Sequence, residues 1–240
     1  MTNKRIASVF ALCLTLWIVV SSYSQPTTVE LILEEKLQGY TGTRDTTIYQ
    51  ESLNTNGGGQ YLFVGNNADG SSRRALITFD LSAIPKGAKV VFVSLQLTVS
   101  KTTGDKTKQT LHRLTKDWGE GTTQATSGRE GGGTAPARGD ATWQSNFHEV
   151  STWTKPGAEG DFASAPSAVA EVGGSGSTSV WTSEQMIADV QQWVDGATQN
   201  FGWILIGDET SIRTTKRYTS ADNASAKEGE RPRLIVRYFP

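Results

Sequence analysis

The sequence has 240 residues, with 23 Lys and Arg against 24 Asp and Glu, a formal net charge of −1. This length suits one large domain or two small ones, and a hydrophobic content of 36% is enough to build a core. The nearly neutral charge argues against a nucleic-acid-binding protein, which needs a basic face to displace counterions. Two histidines and one cysteine leave little material for a zinc site.

The first 24 residues have the pattern of a secretory signal peptide. Lys4 and Arg5 precede an apolar run over 6–20, and the small residues that follow suit cleavage near Ser24. The run has about 15 residues, fewer than the roughly 20 that a bilayer requires, so a cleaved signal is favoured over a membrane anchor. We therefore expect a secreted protein whose single cysteine is removed with the signal.

Strand patterns dominate the rest of the chain. Apolar and polar residues alternate along Lys89–Ser100 and again along Arg74–Leu81. This period of two predicts an antiparallel sheet with one buried face. Six shorter segments have strand composition and are separated by turns rich in Gly, Asn and Asp. They are Thr46–Tyr49, Tyr61–Val64, Gln109–Leu114, Phe201–Ile206, Arg213–Thr219 and Arg233–Phe239.

One segment has helical rather than strand spacing. Between Ser183 and Val194 the apolar residues recur every three or four positions. Ser183 can cap the first turn, and Gly196 follows the last one. We predict one short amphipathic helix over about 183–194, packed against a sheet.

Two regions have the composition of loops. Lys116–Asp140 contains seven glycines in 25 residues, and Lys155–Thr178 is rich in Gly, Ala and Ser. Loops longer than about 15 residues are uncommon in compact domains and are often functional. Because no repeat or proline-rich linker divides the chain, we expect a single domain over 25–240 after a signal peptide over 1–24.

Short motifs occur in a fixed order along this domain. They include RALITFDLSAIP over 74–85, WGEG over 118–121, NFGW over 200–203 and RPRLIV over 231–236. In this order they resemble the DNRLRE-type domains of secreted bacterial and archaeal proteins, which are related to family-96 carbohydrate-binding modules and to disaggregatase-related repeats. The chain departs from that pattern at 220–222, where Ser-Ala-Asp replaces a frequent Ser-Arg-Glu.

The resemblance implies an all-β fold, a jelly-roll-like antiparallel β-sandwich that acts as an accessory module and binds polysaccharide. Sugars stack their apolar faces on flat aromatic rings, and cations can pair with acidic sugars. The candidate carbohydrate-binding residues flank the glycine-rich loop: Trp118, Trp143, Trp153, Arg129, Arg138 and Lys155. The alternative is that these tryptophans anchor the loops to the sandwich.

No motif indicates catalysis. His112 lies within a predicted strand, and His148 lacks the second histidine of a zinc-protease motif. Acidic residues in the long loops, such as Glu120 and Asp140, could supply the carboxylate pair of a glycosidase, although ordinary solvated loop charge is the default explanation.

Secreted β-sandwiches can hold calcium with loop oxygens, and Asp45, Asn54 and Asn56 are the candidate ligands. Turn chemistry explains the same residues without an ion. We therefore predict no required cofactor and retain a structural calcium ion as an alternative.

These observations predict a secreted, non-catalytic protein that binds an extracellular polysaccharide, with acidic polymers included among its ligands. One alternative is a structural or adhesive protein of the cell surface or matrix. A second is a polysaccharide lyase or glycosidase. Neither nucleic acid nor, after signal removal, a membrane is an expected partner.

Overall fold

The computed structural model describes residues 27–126 and 130–240. The described residues form eleven strands, which pair antiparallel throughout, and one α-helix. The predicted fold class, an all-β, jelly-roll-like antiparallel sandwich, is confirmed. The signal peptide predicted over 1–24 lies outside the described residues.

The strands in chain order are β1 (Val29–Glu34), β2 (Thr43–Tyr49), β3 (Tyr61–Asn66), β4 (Ser72–Phe79), β5 (Lys89–Thr102), β6 (Thr107–Arg113), β7 (Ala168–Val172), β8 (Thr178–Thr182), β9 (Trp203–Ile206), β10 (Lys216–Thr219) and β11 (Arg233–Phe239). Helix α1 spans Glu184–Val194, between β8 and β9. Single 3₁₀ turns occur at Leu37–Gly39, Glu130–Gly132 and Pro156–Ala158.

The strands form two layers that join at one side. One layer has β1, β11, β5 and β8 as neighbours, and the other has β2, β4, β9, β6 and β7. Strand β5 has 14 residues, enough to pair with β11 along its first part and with β10 near its end. Because β10 also pairs with β3, and β3 with β4, the sheet curls continuously from one layer into the other.

All eight predicted strands coincide with observed strands, although Arg213 lies in a turn before β10. The prediction of a loop over Lys155–Thr178 was wrong in part, because β7 lies within it and pairs with β6 over five residues. Small residues have weak strand propensity, and pairing with a neighbouring strand outweighs it here. Strands β1 and β8 were not predicted.

The main core lies between the two layers. Val93, Leu95, Leu97 and Val99 of β5 point inward and are completely or almost completely buried. Full burial of one such side chain contributes about 1.5–3 kcal/mol relative to exposure, so this alternation is a main source of stability.

Helix α1 closes one side of this core, as the spacing predicted. The Ser183 hydroxyl accepts a hydrogen bond from the Met186 amide at 3.0 Å and so caps the first turn. Met186, Val190 and Trp193 are buried against the sheet. No helix in the ranges 27–126 and 130–240 has the length and apolar character needed to cross a bilayer.

A second core lies on the outer face of the β4–β9 pair. Ala75 and Leu205 face the main core, whereas their neighbours Leu76 and Ile204 are fully buried on the opposite face. Since both faces of these strands are apolar, the outer face also needs a cover. The long segment between β6 and β7 supplies that cover.

Gly202, just before β9, lies very close to the backbone of the neighbouring strand β4. Its φ is +74°, and a Cβ atom there would lie 2.0 Å from the Ile77 carbonyl oxygen. Gly87 has a similar φ of +87° but open space around the Cβ position. We predict that Gly202→Ala lowers the free energy of unfolding by about 2–4 kcal/mol, through backbone strain plus overpacking.

Chemical denaturation of the two variants separates these effects. Gly87→Ala should cost about 1–2 kcal/mol, because only the left-handed backbone conformation is penalised. Equal losses in the two variants would contradict the close packing of Gly202 on β4.

Candidate functional site

The three tryptophans predicted to contact a sugar are buried in the second core. Trp118 is 0% exposed, Trp153 4% and Trp143 7%. The indole nitrogens of Trp118 and Trp153 donate to the carbonyls of Phe201 and Thr142, both at 2.9 Å. These rings present no face to solvent, so the structure supports their alternative role as anchors that attach the loops to the sheet.

A buried arginine completes this second core. The Arg74 guanidinium lies 5.0 Å from the Trp143 ring centroid and forms ion pairs with Glu159 at 2.8 Å and Glu209 at 2.7 Å. It also donates to the Gly157 carbonyl at 2.7 Å. These contacts attach the 156–158 turn to β4, which is a structural function.

The two predicted cations that the structure describes, Arg138 and Lys155, do not pack on the tryptophans. Arg138 and Lys155 are exposed on the loops, and Arg129 lies outside the described residues. The predicted stacking surface of rings and cations is therefore not formed by the described part of the chain.

Basic side chains instead surround a groove of about 760 Å³ on the outer face of β3, β10 and β5. We call this the basic groove and define it by Tyr61, Phe63, Arg73, Lys101, Arg213 and Arg217. Strand register creates it, because Arg217 lies opposite Phe63 on one side and Lys101 on the other. Their neighbours Leu62 and Tyr218 point into the main core, so this alternation turns the basic residues outward.

Arg217 lies at the centre of the basic groove. Its guanidinium carbon is 3.8 Å from the Tyr61 ring centroid, and its Nε donates to the Ser100 hydroxyl at 2.9 Å. Stacking on the ring and this hydrogen bond hold the guanidinium in place while its terminal nitrogens remain available. A fixed guanidinium suits bidentate recognition of a carboxylate.

The remaining cations differ in how they are held. Arg73 lies over Tyr49 and Phe63 and pairs with Glu51 at 2.7 Å. Lys101 and Arg213 are exposed at the rim, and, like Arg217, neither forms an ion pair with another described residue.

The acid at the edge of the groove does not cancel this charge. Glu130 is buried, and its Oε2 accepts hydrogen bonds from the Gln60 amide at 2.9 Å, the Tyr61 amide at 3.1 Å and the Asn56 side chain at 3.3 Å. Three donors from the protein stabilise the carboxylate internally. These bonds hold the carboxylate in place without removing its charge, and the groove lining is positive because four cations, Arg73, Lys101, Arg213 and Arg217, accompany this one acid.

The asparagines predicted to bind calcium have other partners. The Asn56 amide group contacts the Ala125 amide and the Tyr61 carbonyl in addition to Glu130, and the Asn54 side chain donates to the Gly132 carbonyl at 2.7 Å. Asp45 lies instead in a group with Glu120 and Asp222, and one carboxylate oxygen of each residue lies within 4.8 Å of those of the other two.

Other candidate catalytic groups have structural partners. The Asp140 carboxylate accepts hydrogen bonds from Thr123 and from the Ala137 amide, and Asp161 accepts two from Thr154. His112 lies within hydrogen-bond distance of the Ala163 carbonyl, at 2.9 Å, and of the Thr110 hydroxyl, at 3.0 Å. These groups stabilise loops and strand ends.

The fold and the basic groove define the class of protein: an antiparallel β-sandwich with a ligand-sized cationic surface built on its strands. Residues 36–127 match the model of carbohydrate-binding module family 96. This segment is thus similar to that family, as the motifs predicted, whereas the DNRLRE-type label stays a prediction. No curated protein matches the sequence. The matched segment includes Tyr61, Phe63, Arg73 and Lys101, while Arg213 and Arg217 lie beyond it.

Trp153→Phe distinguishes a core ring from a sugar contact. The substitution removes the indole donor and leaves the Thr142 carbonyl buried without its partner. We expect the free energy of unfolding, measured by urea titration, to fall by about 1–3 kcal/mol. The variant should be retained as strongly as the wild type on any polysaccharide that the wild type binds. Unchanged stability together with lost retention would contradict the core role.

Proposed function

We propose that this protein is a secreted, non-catalytic carbohydrate-binding module whose basic groove binds an acidic polysaccharide. The observation that carries this proposal is the set of outward cations on adjacent strands, in a domain related to a carbohydrate-binding family. A groove of about 760 Å³ is large enough for a few sugar units of a polymer.

The arrangement of the rings favours an acidic over a neutral ligand. Phe63 is 7% exposed, and the Arg217 guanidinium covers one face of Tyr61. Neutral sugars depend on open ring faces for stacking, and the groove offers few of them. Carboxylates of uronic acid units instead match arginine donors in charge and in geometry.

Export is also part of the proposal. The basic, apolar and small-residue pattern over 1–24 supports a secretory signal. Extracellular polysaccharides are accessible only to an exported protein. Mass spectrometry of the protein recovered from culture medium should give a chain that begins after about residue 24. An intact N-terminus at Met1 in exported protein would contradict signal cleavage.

The groove predicts which substitutions weaken binding. Removing a cation that pairs with a sugar carboxylate costs about 1.5–3 kcal/mol, or about ten- to a hundredfold in affinity. We expect Arg217→Ala and Lys101→Ala each to weaken retention on alginate or polygalacturonate in affinity electrophoresis. Raising the salt concentration to about 1 M should also weaken retention of the wild type, because salt screens exposed charges.

Arg138→Ala and Lys155→Ala are matched controls, since both remove exposed cations from loops outside the groove. Their retention should equal that of the wild type. Loss of binding in these controls but not in Arg217→Ala would place the ligand on the loops and overturn the proposed site. Folded protein that no acidic polymer retains would overturn the function.

A further inference from the structure

Three carboxylates from distant parts of the chain meet at one place on the molecule. Asp45 lies on β2, Glu120 follows β6, and Asp222 follows β10. Each offers an oxygen within 4.8 Å of the others. Calcium binds oxygens at about 2.3–2.6 Å, so two ligands on opposite sides of one ion are separated by about the same 4.8 Å. We call these residues the acidic cluster.

Asp45 has an unsatisfied oxygen. The residue is 0% exposed, and its Oδ2 accepts a hydrogen bond from the Ala221 amide at 2.7 Å. Its Oδ1 is buried without any hydrogen-bond partner among the described residues. A buried carboxylate oxygen without a partner costs several kcal/mol, so a proton or a cation must compensate it.

The surroundings of Asp45 increase this cost. Burial, together with the negative charges of Glu120, Asp222 and Glu35, raises the pKa of Asp45 well above its usual range. Burial also raises the pKa of Glu120 to about 7 and raises that of Asp222. The acidic cluster therefore concentrates negative charge that is unfavourable without a counterion.

The nearby cations are only partly available to neutralise it. Arg44 acts on Glu120 but is hydrogen-bonded to the Trp118 carbonyl, at 3.2 Å, and paired with Asp117, at 3.5 Å. Lys36 acts on both Asp222 and Glu35, and Arg231 acts on Glu35. Asp222 is exposed, so the cluster is open to solvent at one side. That opening provides both an entry path and room for water ligands.

We propose that the acidic cluster binds a calcium ion through Asp45, Glu120 and Asp222. The donors are oxygens only, which suits a hard cation rather than zinc. Asp45 Oδ1 contributes one ligand, and a backbone amide already orients the other half of its carboxylate. Glu120 is likewise oriented, because one of its oxygens accepts a hydrogen bond from the Asp45 amide at 2.6 Å. Water supplies the remaining positions of a six- to eight-coordinate ion.

Such an ion would connect three segments that are far apart in the sequence. The segment after β6 carries Trp118 into the second core, and the segment after β10 leads to β11. The unfolded chain separates these ligands, so calcium should bind the folded state and stabilise it by mass action. This effect does not depend on carbohydrate binding.

Calcium titration of the metal-stripped protein tests the proposal. We expect the Tm of the wild type to rise by about 5–10 °C when free calcium exceeds its Kd about a hundredfold, and EDTA to reverse the rise. Isothermal titration calorimetry should show one site per chain. Asp222→Asn and Glu120→Gln should each weaken calcium binding by at least tenfold, since loss of even an outer-shell partner costs about 10–100-fold.

Asp69→Asn is the matched control, because Asp69 is an exposed acid in a turn outside the acidic cluster. It should keep the wild-type calcium response. Absence of both a Tm shift and binding heat in the wild type would overturn the proposal, as would an unchanged response in Asp222→Asn. If the wild type does not respond to calcium and the Asp45→Asn variant is as stable as the wild type, a proton rather than a cation neutralises Asp45, which also contradicts the proposal.

Discussion

The sheet formed by β4 and β9 is apolar on both faces, and much of the rest of the structure follows from this constraint. The inward face packs against β5 and α1, as in any sandwich. The outward face, with Leu76 and Ile204, would lie in water without a second cover. The segment between β6 and β7 supplies it by burying three tryptophans, and Arg74 fixes one of its turns. These three tryptophans are therefore part of the core that stabilises the fold.

The proposed binding surface lies instead on the outer face of β3, β5 and β10. There the strands alternate core residues such as Leu62 with outward residues such as Phe63 and Arg217. A ring contact and a hydrogen bond hold Arg217, and ring contacts and an ion pair hold Arg73, so the proposed ligand would meet two cations that are already oriented. The net charge of −1 conceals this separation, because the basic groove and the acidic cluster occupy different surfaces. Such a separation would let the two proposed ligands, an acidic polymer and a cation, bind at different places.

Local patterns in the sequence predicted most of the fold but little of the site. The alternation along β5 and the helical spacing before Val194 depend on neighbouring residues, so both could be recognised. Strand β7 could not be recognised from the sequence, because this short segment of small residues forms a strand only by pairing with β6. A tryptophan in a glycine-rich loop has the same local sequence whether it is buried or exposed, which explains the incorrect placement of Trp118. The basic groove requires Phe63, Lys101 and Arg217 in cross-strand register, and that register is a property of the folded chain.

Binding of an acidic polysaccharide in the basic groove is the central claim, and an NMR titration tests it most directly. A short uronic acid oligosaccharide should be added to isotopically labelled protein while backbone amide shifts are followed. We predict concentration-dependent shifts concentrated in 61–66, 99–104 and 213–219, the segments that line or adjoin the groove. Shifts confined to the loops that carry Arg138 and Lys155, or no shifts at saturating ligand, would contradict the claim.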